Sequence, residues 1–538
     1  MTYIPATRRG FLSRLSQVTG AAGLLGLTGR APDQSGALAS GRDVYDVTTF
    51  GARGDGKTLD TAAINQAITA AAAAGGGTVI FPAGTFLSYS IRLKSNVGLH
   101  LGHGCVLLAA EGSGYDPAES NEPWENYQDY GHNHWHNSLI WGEQLHDVSI
   151  SGPGLIWGKG LSRGEGTPPQ AETPGVGNKT IALKNCRNVL LRDFSILHGG
   201  HFGILATGVD NLTIDNLQID TNRDGMDIDC CRNVHIAHCS VNSPWDDAIV
   251  LKSSYALGFA RVTEMVTISD CLVTGGYEEG TLLDGTFRHF DNNRKLAPYE
   301  EEWRTGRIKC GTESNGGFKN ITIANCVFDT CHGLALESVD GAQVEDIAIT
   351  NLMMREIYEA PIFIRLGSRM RGPAGAAVGV IRRVLISNVV CSNAASPICS
   401  IITGIPGHKV EDVRLSNIVI EHTGGGTRDQ ARIRVPEKEA EYPDPDMFGP
   451  MPALGFFVRH VQGIEMEGIK IIAGNRDERP AFVLEDVENA DFTRPQAPVT
   501  AGVPLFVLSD VENFRLRGSA HLPDTSLDRV AHKEILPE

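Results

Sequence analysis

A short pattern recurs along the chain: apolar, any residue, apolar, any residue, then Asn, Asp, His or Gly, then an apolar residue or Cys. Each copy alternates like a strand, breaks at the fifth position and resumes as a second short strand. The nine copies begin at Val189, Leu212, Val234, Val266, Ile321, Ile347, Val384, Val413 and Ile464. The shortest spacings, 23 and 22 residues, are too brief for a β-α unit or a propeller blade. The repeat therefore predicts an all-β fold, the stacked coils of a parallel β-helix or β-solenoid.

The fifth position of the repeat predicts a ladder at a turn inside each coil. Side chains there should bond from one coil to the next. The residues concerned are Asn216, Asp270, Asn325, Asn351, Asn388 and Asn417. The following slot holds Cys239, Cys271 and Cys326 where other copies have an apolar residue, so these cysteines are expected to be small buried hydrophobes. Leucine-rich repeats are the competing architecture, but their Leu-x-x-Leu framework is missing.

The two ends of the chain are expected to differ from the coils. Residues 1–39 resemble a twin-arginine export signal, with Arg8-Arg9 followed by a weakly apolar stretch and an Ala37-Leu38-Ala39 cleavage site. We therefore expect export to the periplasm or the extracellular space and one mature catalytic domain over residues 40–538. A solenoid end exposes core and strand edges, so caps are expected. We predict an N-terminal cap with a helix at about 43–86, coils at about 87–480 and a C-terminal cap at about 500–538.

The net charge and the distribution of apolar residues limit which partners the protein can bind. A formal net charge of -17 at pH 7 repels nucleic acid, so any anionic substrate needs a local basic site. After the export signal there is no apolar run of membrane-spanning length, so no membrane association is expected for the mature chain. We expect a monomer.

The repeat also predicts which side chains meet, because residues at equal offsets in successive coils stand about 4.8 Å apart on one face. Asp224 lies seven residues after Leu217, and Asp246 lies seven after Cys239. These two carboxylates are expected to be neighbours, with Asp247 one step further. Crowded carboxylates raise the pKa of one of them, so one holds a proton while another is ionised. Acid/base catalysis fits, while solvated turn residues or a structural calcium site are alternatives.

The residues around this cluster resemble the polygalacturonases, glycoside hydrolase family 28. The motifs are Asn222-x-Asp224-Gly225-x-Asp227, then Asp246-Asp247-Ala248-Ile249, then Cys331-His332-Gly333, in that order on a β-solenoid. The stretch FGARGDGKTLDTAAINQAI, with GGGTVIFPAGTF after it, resembles the N-terminal region that bacterial members share with pectate-lyase-like proteins. The resemblance covers roughly Asp43 to Gly424.

The resemblance implies a right-handed parallel β-helix that hydrolyses α-glycosidic bonds in pectic polysaccharide with inversion, without cofactor or metal. Asp224, Asp246 and Asp247 match the three catalytic carboxylates, and we predict Asp247 as the acid. His332 matches the family's histidine and is expected to hold the hydrogen-bond network of the acid. Inversion needs carboxyls roughly 6.5–9.5 Å apart, which diagonal placement across coils would supply. Asn222 and Asp227, from the first motif, are predicted to bind substrate.

The chain departs from the family where the substrate carboxylate is gripped. The family's Arg-Ile-Lys should follow the histidine, where this chain has Phe363-Ile364-Arg365. The literal Arg307-Ile308-Lys309 precedes His332, and we interpret it as a chance match in a strand that could still line the cleft. Lys252 and Arg365 share an offset of thirteen from their slots, which predicts a pair of cations for an anionic sugar.

Three further predictions concern the neighbourhood of these cations. Glu337 is expected beside the pair as a further substrate-binding residue, although its charge weakens the basic character of the site. An extra coil carrying residues 277–284 is predicted to bring Glu278 level with Asp224 and Asp246, where it could join the catalytic carboxylates or bind substrate. The segment from Pro123 to Trp141 is rich in aromatic residues that could stack on sugar rings at the cleft edge.

Three functions follow from these residues. The first is an exported glycoside hydrolase acting on galacturonan or on a rhamnogalacturonan-type chain. The second is a β-helix polysaccharide lyase, which needs a Lys or Arg base and often calcium. The third is a non-catalytic carbohydrate-binding solenoid, in which the same aspartates would bind calcium.

Overall fold

The chain winds into stacked coils whose strands form three parallel sheets. The computed structural model describes residues 44–129, 131–163, 173–289, 304–395 and 397–537. Strands of one coil pair in register with those of the next, so that Leu212 is level with Val234, and Val234 with Val266. The prediction of an all-β parallel β-helix is confirmed.

One of the three sheets carries the predicted site residues and is called the site sheet. Its separate strands are Ile91–Arg92, Ser138–Glu143, Lys179–Lys184, Phe202–Thr207, Asp224–Asp229, Ile249–Ser253, Ile308–Ser314, Leu334–Ser338, Ile362–Leu366 and Ser400–Thr403. The second sheet begins with Val44–Asp46, Gly77–Phe81, Val97–Leu101, His146–Ser151, Arg187–Arg192, Asp210–Asp215, Arg232–Ala237 and Thr263–Ser269. The third begins with Asp55–Leu59, Gly84–Ser88, Cys105–Ala109, Leu155–Trp157, Ser195–Leu197, Gln218–Asp220, Ser240–Asn242 and Leu272–Thr274.

In the later coils a single strand bends through two or three of the sheets. These strands are Phe318–Cys331, Gln343–Ile357, Val380–Ala394, Val410–Gly424, Phe456–Asn475, Phe482–Thr493 and Phe506–Arg517. The last strand, Thr525–Ile535, pairs antiparallel with Phe506–Arg517 and covers the edge of the stack. Parallel coils therefore continue to Arg517, past the boundary at about 480 that the repeat predicted.

The ladder of polar residues at the turn is confirmed. Its members have φ angles of 54 to 58°, a left-handed conformation that Asn and Asp tolerate better than other residues with a side chain. The Asn351 amide donates to Asn325 Oδ1 at 3.0 Å, and the Asn388 amide donates to Asn351 Oδ1 at 3.1 Å. The cysteines of the neighbouring slot are buried, and all eleven cysteines of the chain carry free thiols.

The predicted helix near the N-terminus spans Thr61–Ala73 and buries Ile64, Ala67, Ile68 and Ala71. Asp60 precedes it without capping it, because its carboxylate accepts the backbone N–H groups of Arg53 and Gly54. Strands Val44–Asp46 and Asp55–Leu59 already belong to the coils, so this region is the start of the stack with a helix packed on it. The predicted export signal lies outside the described residues. No helix in the described part of the chain has the length and apolarity needed to cross a membrane.

One coil does separate Asp247 from His332, as predicted, but residues 277–284 do not form its rung of the site sheet. In the site sheet, Ile249 pairs directly with Ile308, so the next rung is the strand Ile308–Ser314. Residues Tyr277–Glu279 instead pair antiparallel with Arg288–His289, in a small hairpin separate from the main sheets. The side chain of Glu278 lies outside the described part of the structure.

Candidate active site

Three aspartates come together where two adjacent strands of the site sheet begin. One carboxylate oxygen from each of Asp224, Asp246 and Asp247 lies within 4.8 Å of the others. Met226 is level with Ile249, so Asp224 is level with Asp247, not with Asp246 as the repeat predicted. The reason is one added residue in the turn after Ser240–Asn242. Strands of the third sheet pair there at a spacing of 22 residues, and strands of the site sheet at 23.

Asp224 is buried among other carboxylates. Burial, Asp227 and Asp246 all act in the same direction and hold the pKa of Asp224 well above its ordinary value. Its Oδ1 atom is buried and accepts no hydrogen bond from the described residues. Of the three carboxyls, Asp224 is therefore the one whose surroundings most favour the protonated form.

Asp247 lies between two cations. The Nε atom of Arg307 donates to Asp247 Oδ1 at 2.9 Å, and Lys309 Nζ lies 3.4 Å from Oδ2. Burial alone would raise the pKa of Asp247, but Lys309, Arg307 and Lys252 outweigh it and lower that pKa. This environment contradicts the prediction that Asp247 is the acid, because a carboxylate held ionised accepts a proton and does not supply one.

Asp246 is the most accessible of the three carboxylates. Its side chain is 27% exposed, and Arg223 donates to its Oδ2 at 2.8 Å. Asp246 and Asp247 both line a cavity of about 500 Å³. The cluster therefore opens to solvent through this pair, while Asp224 lies behind it.

Two more titratable residues, His332 and Glu359, line the same cavity from turns further along the stack. His332 Nδ1 lies 2.9 Å from Glu359 Oε2, and burial and Arg307 lower the pKa of His332 to about 3. Burial and Asp444 raise the pKa of Glu359 well above its ordinary value. His332 is thus neutral, and its partner is Glu359, whereas the sequence predicted a role in the network of the catalytic acid.

Two segments cover the site sheet on either side of the cavity. The N-terminal cover, residues 119–129 and 131–137, buries Trp135 against Phe202 and Leu205. Trp135 is not available for the stacking on sugar that was predicted for this segment, because it is fully buried and its Nε1 donates to Thr207. The C-terminal cover, residues 427–455, packs Phe448 and Met451 on the later strands.

The C-terminal cover reaches into the cavity itself. Tyr442, Asp444 and Asp446 line it, and Asp444 Oδ2 accepts from Arg307 at 3.3 Å. The Thr312 hydroxyl donates to the Tyr442 hydroxyl at 2.9 Å. The cavity is therefore bounded by coil residues below and by this cover at one end.

A buried layer of charges lies behind the aspartate cluster. His132, from the N-terminal cover, has Nε2 3.1 Å from Asp227 Oδ2. Lys252 Nζ donates to Glu313 Oε2 at 2.9 Å. All four side chains are almost fully buried, so the predictions that Asp227 and Lys252 bind substrate are contradicted: their charges are matched inside the protein.

Two other predicted substrate contacts are also used inside the protein. The guanidinium of Arg365 is buried and donates to the backbone carbonyls of Gly404, Glu437 and Lys438. Glu337 is fully buried, 3.7 Å from Lys309 Nζ. Neither can bind an anionic sugar in this arrangement.

Asn222 has a structural contact at the turn. Its backbone carbonyl accepts the N–H of Trp245, a residue that lines the cavity. The predicted contact of Asn222 with substrate stays a prediction.

The interpretation of Arg307-Ile308-Lys309 as a chance match is wrong for its position, since Arg307 and Lys309 line the cavity and contact Asp247. The hairpin insertion before this strand broke the repeat spacing that would have placed it. Sequence reasoning also missed Glu359 and Asp444. No local motif marks either residue, because Asp444 comes from a cover that lies far along the chain.

Three sets of described residues could hold a metal ion by distance alone: His132, Asp224 and Asp227; His332, Glu359 and Asp444; and the three aspartates. Each set already faces a protein cation. Lys252 acts on the first, Arg307 on the second, and Lys309 on the third. These cations supply the charge that a bound ion would otherwise supply.

Comparisons with known proteins agree with this fold. Residues 44–113 match the family model "Rhamnogalacturonase A/epimerase, pectate lyase-like", and residues 172–294 match "Right handed beta helix region". A probable polygalacturonase of Vitis vinifera is 24% identical over 403 residues, covering 69% of this chain and 73% of that protein. An exopolygalacturonase of Arabidopsis thaliana is 23% identical over 411 residues, covering 71% and 81%.

Solved structures show the same fold. A hyperthermoactive exopolygalacturonase of Thermotoga maritima superposes with a TM-score of 0.57 at 20% identity, covering 80% of this chain and 92% of that one. A family 28 exopolygalacturonase of Yersinia enterocolitica gives 0.60 at 18% identity, covering 85% and 79%. Together the matches confirm the resemblance to the polygalacturonases and a right-handed parallel β-helix fold.

Proposed function

We propose that this protein hydrolyses α-glycosidic bonds at the ends of pectic chains. The observation that carries this proposal is the aspartate cluster opening into a cavity of about 500 Å³, on a sheet that two segments cover on either side. That volume falls within the range of roughly 300–1,000 Å³ typical of sites for small ligands. A short saccharide or a chain end fits such a space better than the middle of a polymer. The names of the exopolygalacturonase relatives support the same mode.

The electrostatics divide the catalytic work between the aspartates. Asp247, kept ionised by Arg307 and Lys309, takes a proton from the attacking water. Asp224 holds the proton of the cluster, and Asp246, within 4.8 Å of it at the cavity wall, passes that proton to the leaving glycosidic oxygen. The sugar–oxygen bond breaks as water adds at the anomeric carbon. The proton released by the water restores the cluster.

The stereochemical outcome is a separate part of the proposal. Inversion rests on the family resemblance. The aspartate oxygens lie within 4.8 Å of one another, closer than the roughly 6.5–9.5 Å usual for an inverting pair, so diagonal placement does not supply the predicted separation. Under our proposal the water approaches Asp247 from the cavity side, not from between the carboxylates. NMR of the first product anomer tests this directly, and a product with retained configuration would refute inversion.

The lyase alternative is less consistent with the site. A lyase needs a neutral Lys or Arg as its base. Asp247 and Glu337 raise the pKa of Lys309 above its ordinary value, and Asp247 and Asp444 do the same for Arg307, although burial opposes the shift in both. Both side chains therefore stay charged. A lyase would also reveal itself by an unsaturated product that absorbs ultraviolet light.

The proposal is tested with galacturonan and rhamnogalacturonan fragments of defined length, labelled at the reducing end. We expect release of one small sugar at a time from the unlabelled end, with labelled chains shortening stepwise. Fragments of intermediate length at early times would refute end-directed action. Binding without turnover, lost with a chelator, would instead support the non-catalytic alternative. Asp247→Asn, checked for folding by circular dichroism, is the inactive control.

We further propose export through the twin-arginine route, on the strength of the Arg8-Arg9 signal alone. Fractionation of cells expressing the full chain should place the protein outside the cytoplasm. Replacing both arginines by lysine should retain it in the cytoplasm. An unchanged distribution would refute the proposal.

A further inference from the structure

His132 is a buried histidine held from two sides. Its ring lies edge-on to Phe202, with centroids 4.7 Å apart, and the residue is 5% exposed. Nδ1 lies 3.1 Å from the backbone carbonyl oxygen of Asp129, a contact that requires a proton on Nδ1. Nε2 lies 3.1 Å from Asp227 Oδ2 and 3.9 Å from Asp224 Oδ2. Because Nε2 also faces carboxylate oxygens, a proton there as well makes the ring an imidazolium.

The charges around His132 agree with this state. Burial and Lys252 would lower the pKa of His132, but Glu313 and Asp227 outweigh them and raise it. With Asp224 protonated, the imidazolium and Lys252 match the negative charges of Asp227 and Glu313, so the buried layer is neutral as a whole. The other titratable neighbour is His201, whose ring centroid lies 6.4 Å away and whose pKa burial and Arg223 hold well below its ordinary value.

We propose that His132 is a positioning residue for the acid: its imidazolium holds the negative charge on Asp227, and that charge keeps the proton on Asp224. This role rests on the proposed function, because it concerns the proton that Asp224 supplies. The N-terminal cover thus sets the protonation of a cluster on the coils in addition to closing one side of the sheet. His132 acts through Asp227, since Asp227 separates it from the cavity-facing aspartates.

The consequence of losing the imidazolium follows from charge. Without it, Lys252 alone favours the ionised form of Asp227, and the single proton of the Asp224–Asp227 pair is shared more evenly between both carboxyls. Asp224 is then protonated in a smaller fraction of the molecules, so less enzyme can supply the proton and kcat falls. The pair also loses a nearby positive charge and therefore binds its last proton more tightly. The alkaline limb of the pH profile, where that proton leaves, moves to higher pH.

The test is His132→Gln, which keeps a hydrogen-bond donor near Asp227 but removes the charge. We expect kcat to fall about tenfold or more, KM to change little and the alkaline limb of kcat/KM to rise by about one pH unit. The matched control is His136→Gln, four residues along in the same cover, where Nε2 contacts Glu143. The His136→Gln variant should keep the alkaline limb of kcat/KM at the wild-type pH. Wild-type kcat in His132→Gln, or lower activity with an unmoved limb, would overturn the proposal.

A second readout does not depend on substrate. The infrared spectrum at neutral pH should contain a protonated-carboxyl component that Asp224→Asn removes and His132→Gln shifts. If the wild-type protein cleaves no pectic fragment but this component behaves as expected, the proposed function fails and the role of His132 stands. If cleavage occurs and the component is unaffected by His132→Gln, the role of His132 fails alone.

Discussion

Asp224 and Asp247 occupy the same level of neighbouring coils, yet their surroundings are opposite. Asp224 faces Asp227 and Asp246, and its pKa is raised. Asp247 lies between Arg307 and Lys309, and its pKa is lowered. The backbone repeat makes the two positions equivalent, so the difference comes from the side chains that surround each carboxyl. In this helix, the place of a carboxyl in the repeat does not by itself set its protonation.

The comparison also separates two sources of charge. The cations beside Asp247 belong to the adjacent coil, on the strand Ile308–Ser314 and the residue just before it. The charges that act on Asp224 include Asp227 on its own strand, and Asp227 depends on His132 from the N-terminal cover. The pKa of Asp247 is thus set by residues of the coils, whereas the pKa of Asp224 depends partly on the N-terminal cover.

The largest effect is expected for Asp247→Asn. The amide cannot accept the proton of the attacking water, so kcat/KM should fall by about 10³-fold or more, with the fold retained. Initial rates on labelled pectic fragments and circular dichroism measure the two quantities. Activity within tenfold of wild type would remove Asp247 from the role of base.

Asp224→Asn is expected to cost less, about 10²-fold in kcat, because Asp246 can still take a proton from solvent. The more specific expectation concerns pH. The alkaline limb, which Asp224 produces in the wild-type enzyme, should move to lower pH, because the variant lacks the buried carboxyl that holds the proton. A variant that keeps the wild-type limb would show that Asp224 is not the proton store.

Lys309→Met tests the Asp247 half of the comparison, because it removes one of the two cations beside that carboxylate. Lys309 lowers the pKa of Asp247, so activity that needs ionised Asp247 persists to low pH and is lost as pH falls through that pKa. Removing the cation raises the pKa, and the acid limb should move to higher pH by about one unit or more. The pH profile of kcat/KM measures it, with Lys94→Met, at an exposed position, as the control. An unmoved acid limb would contradict the assignment.

The sequence was sufficient to predict the fold because the fold is a repeated local pattern. The ladder of Asn351 and its neighbours could be read from position alone, since only a left-handed turn needs Asn at that point in every coil. The sequence also brought the three aspartates of the cluster together, but the repeat spacing misplaced Asp224 by one residue because a turn gained one.

The features that the sequence did not predict come from insertions and covers, which do not follow the repeat. The hairpin before Ile308–Ser314 lengthens one coil, so Arg307 and Lys309 fell outside the expected spacing and their place in the cavity was not predicted. His132 and Asp444 come from covers far away in the chain, and no periodic pattern connects a loop to the rung it packs on. Burial, which decides whether Lys252 or Arg365 meets substrate, is likewise a property of the covers.

Glu337 extends the comparison to a third carboxyl, and the smallest effect is expected there. It lies 3.7 Å from the same Lys309 that keeps Asp247 ionised, but burial outweighs the cation and raises the pKa of Glu337 to about 7. The folded protein therefore binds a proton that the unfolded chain releases at lower pH, so this carboxyl makes the fold less stable as pH rises from about 4.5 to about 7. In Glu337→Gln, which cannot ionise, Tm should decline less between pH 5 and pH 8 than in the wild-type protein. Glu465→Gln, at a side chain that is 63% exposed, should keep the wild-type decline. If Tm declines with pH equally in the wild-type protein and in Glu337→Gln, burial does not determine the charge of Glu337. Lys309 would then keep Glu337 ionised, as it keeps Asp247 ionised.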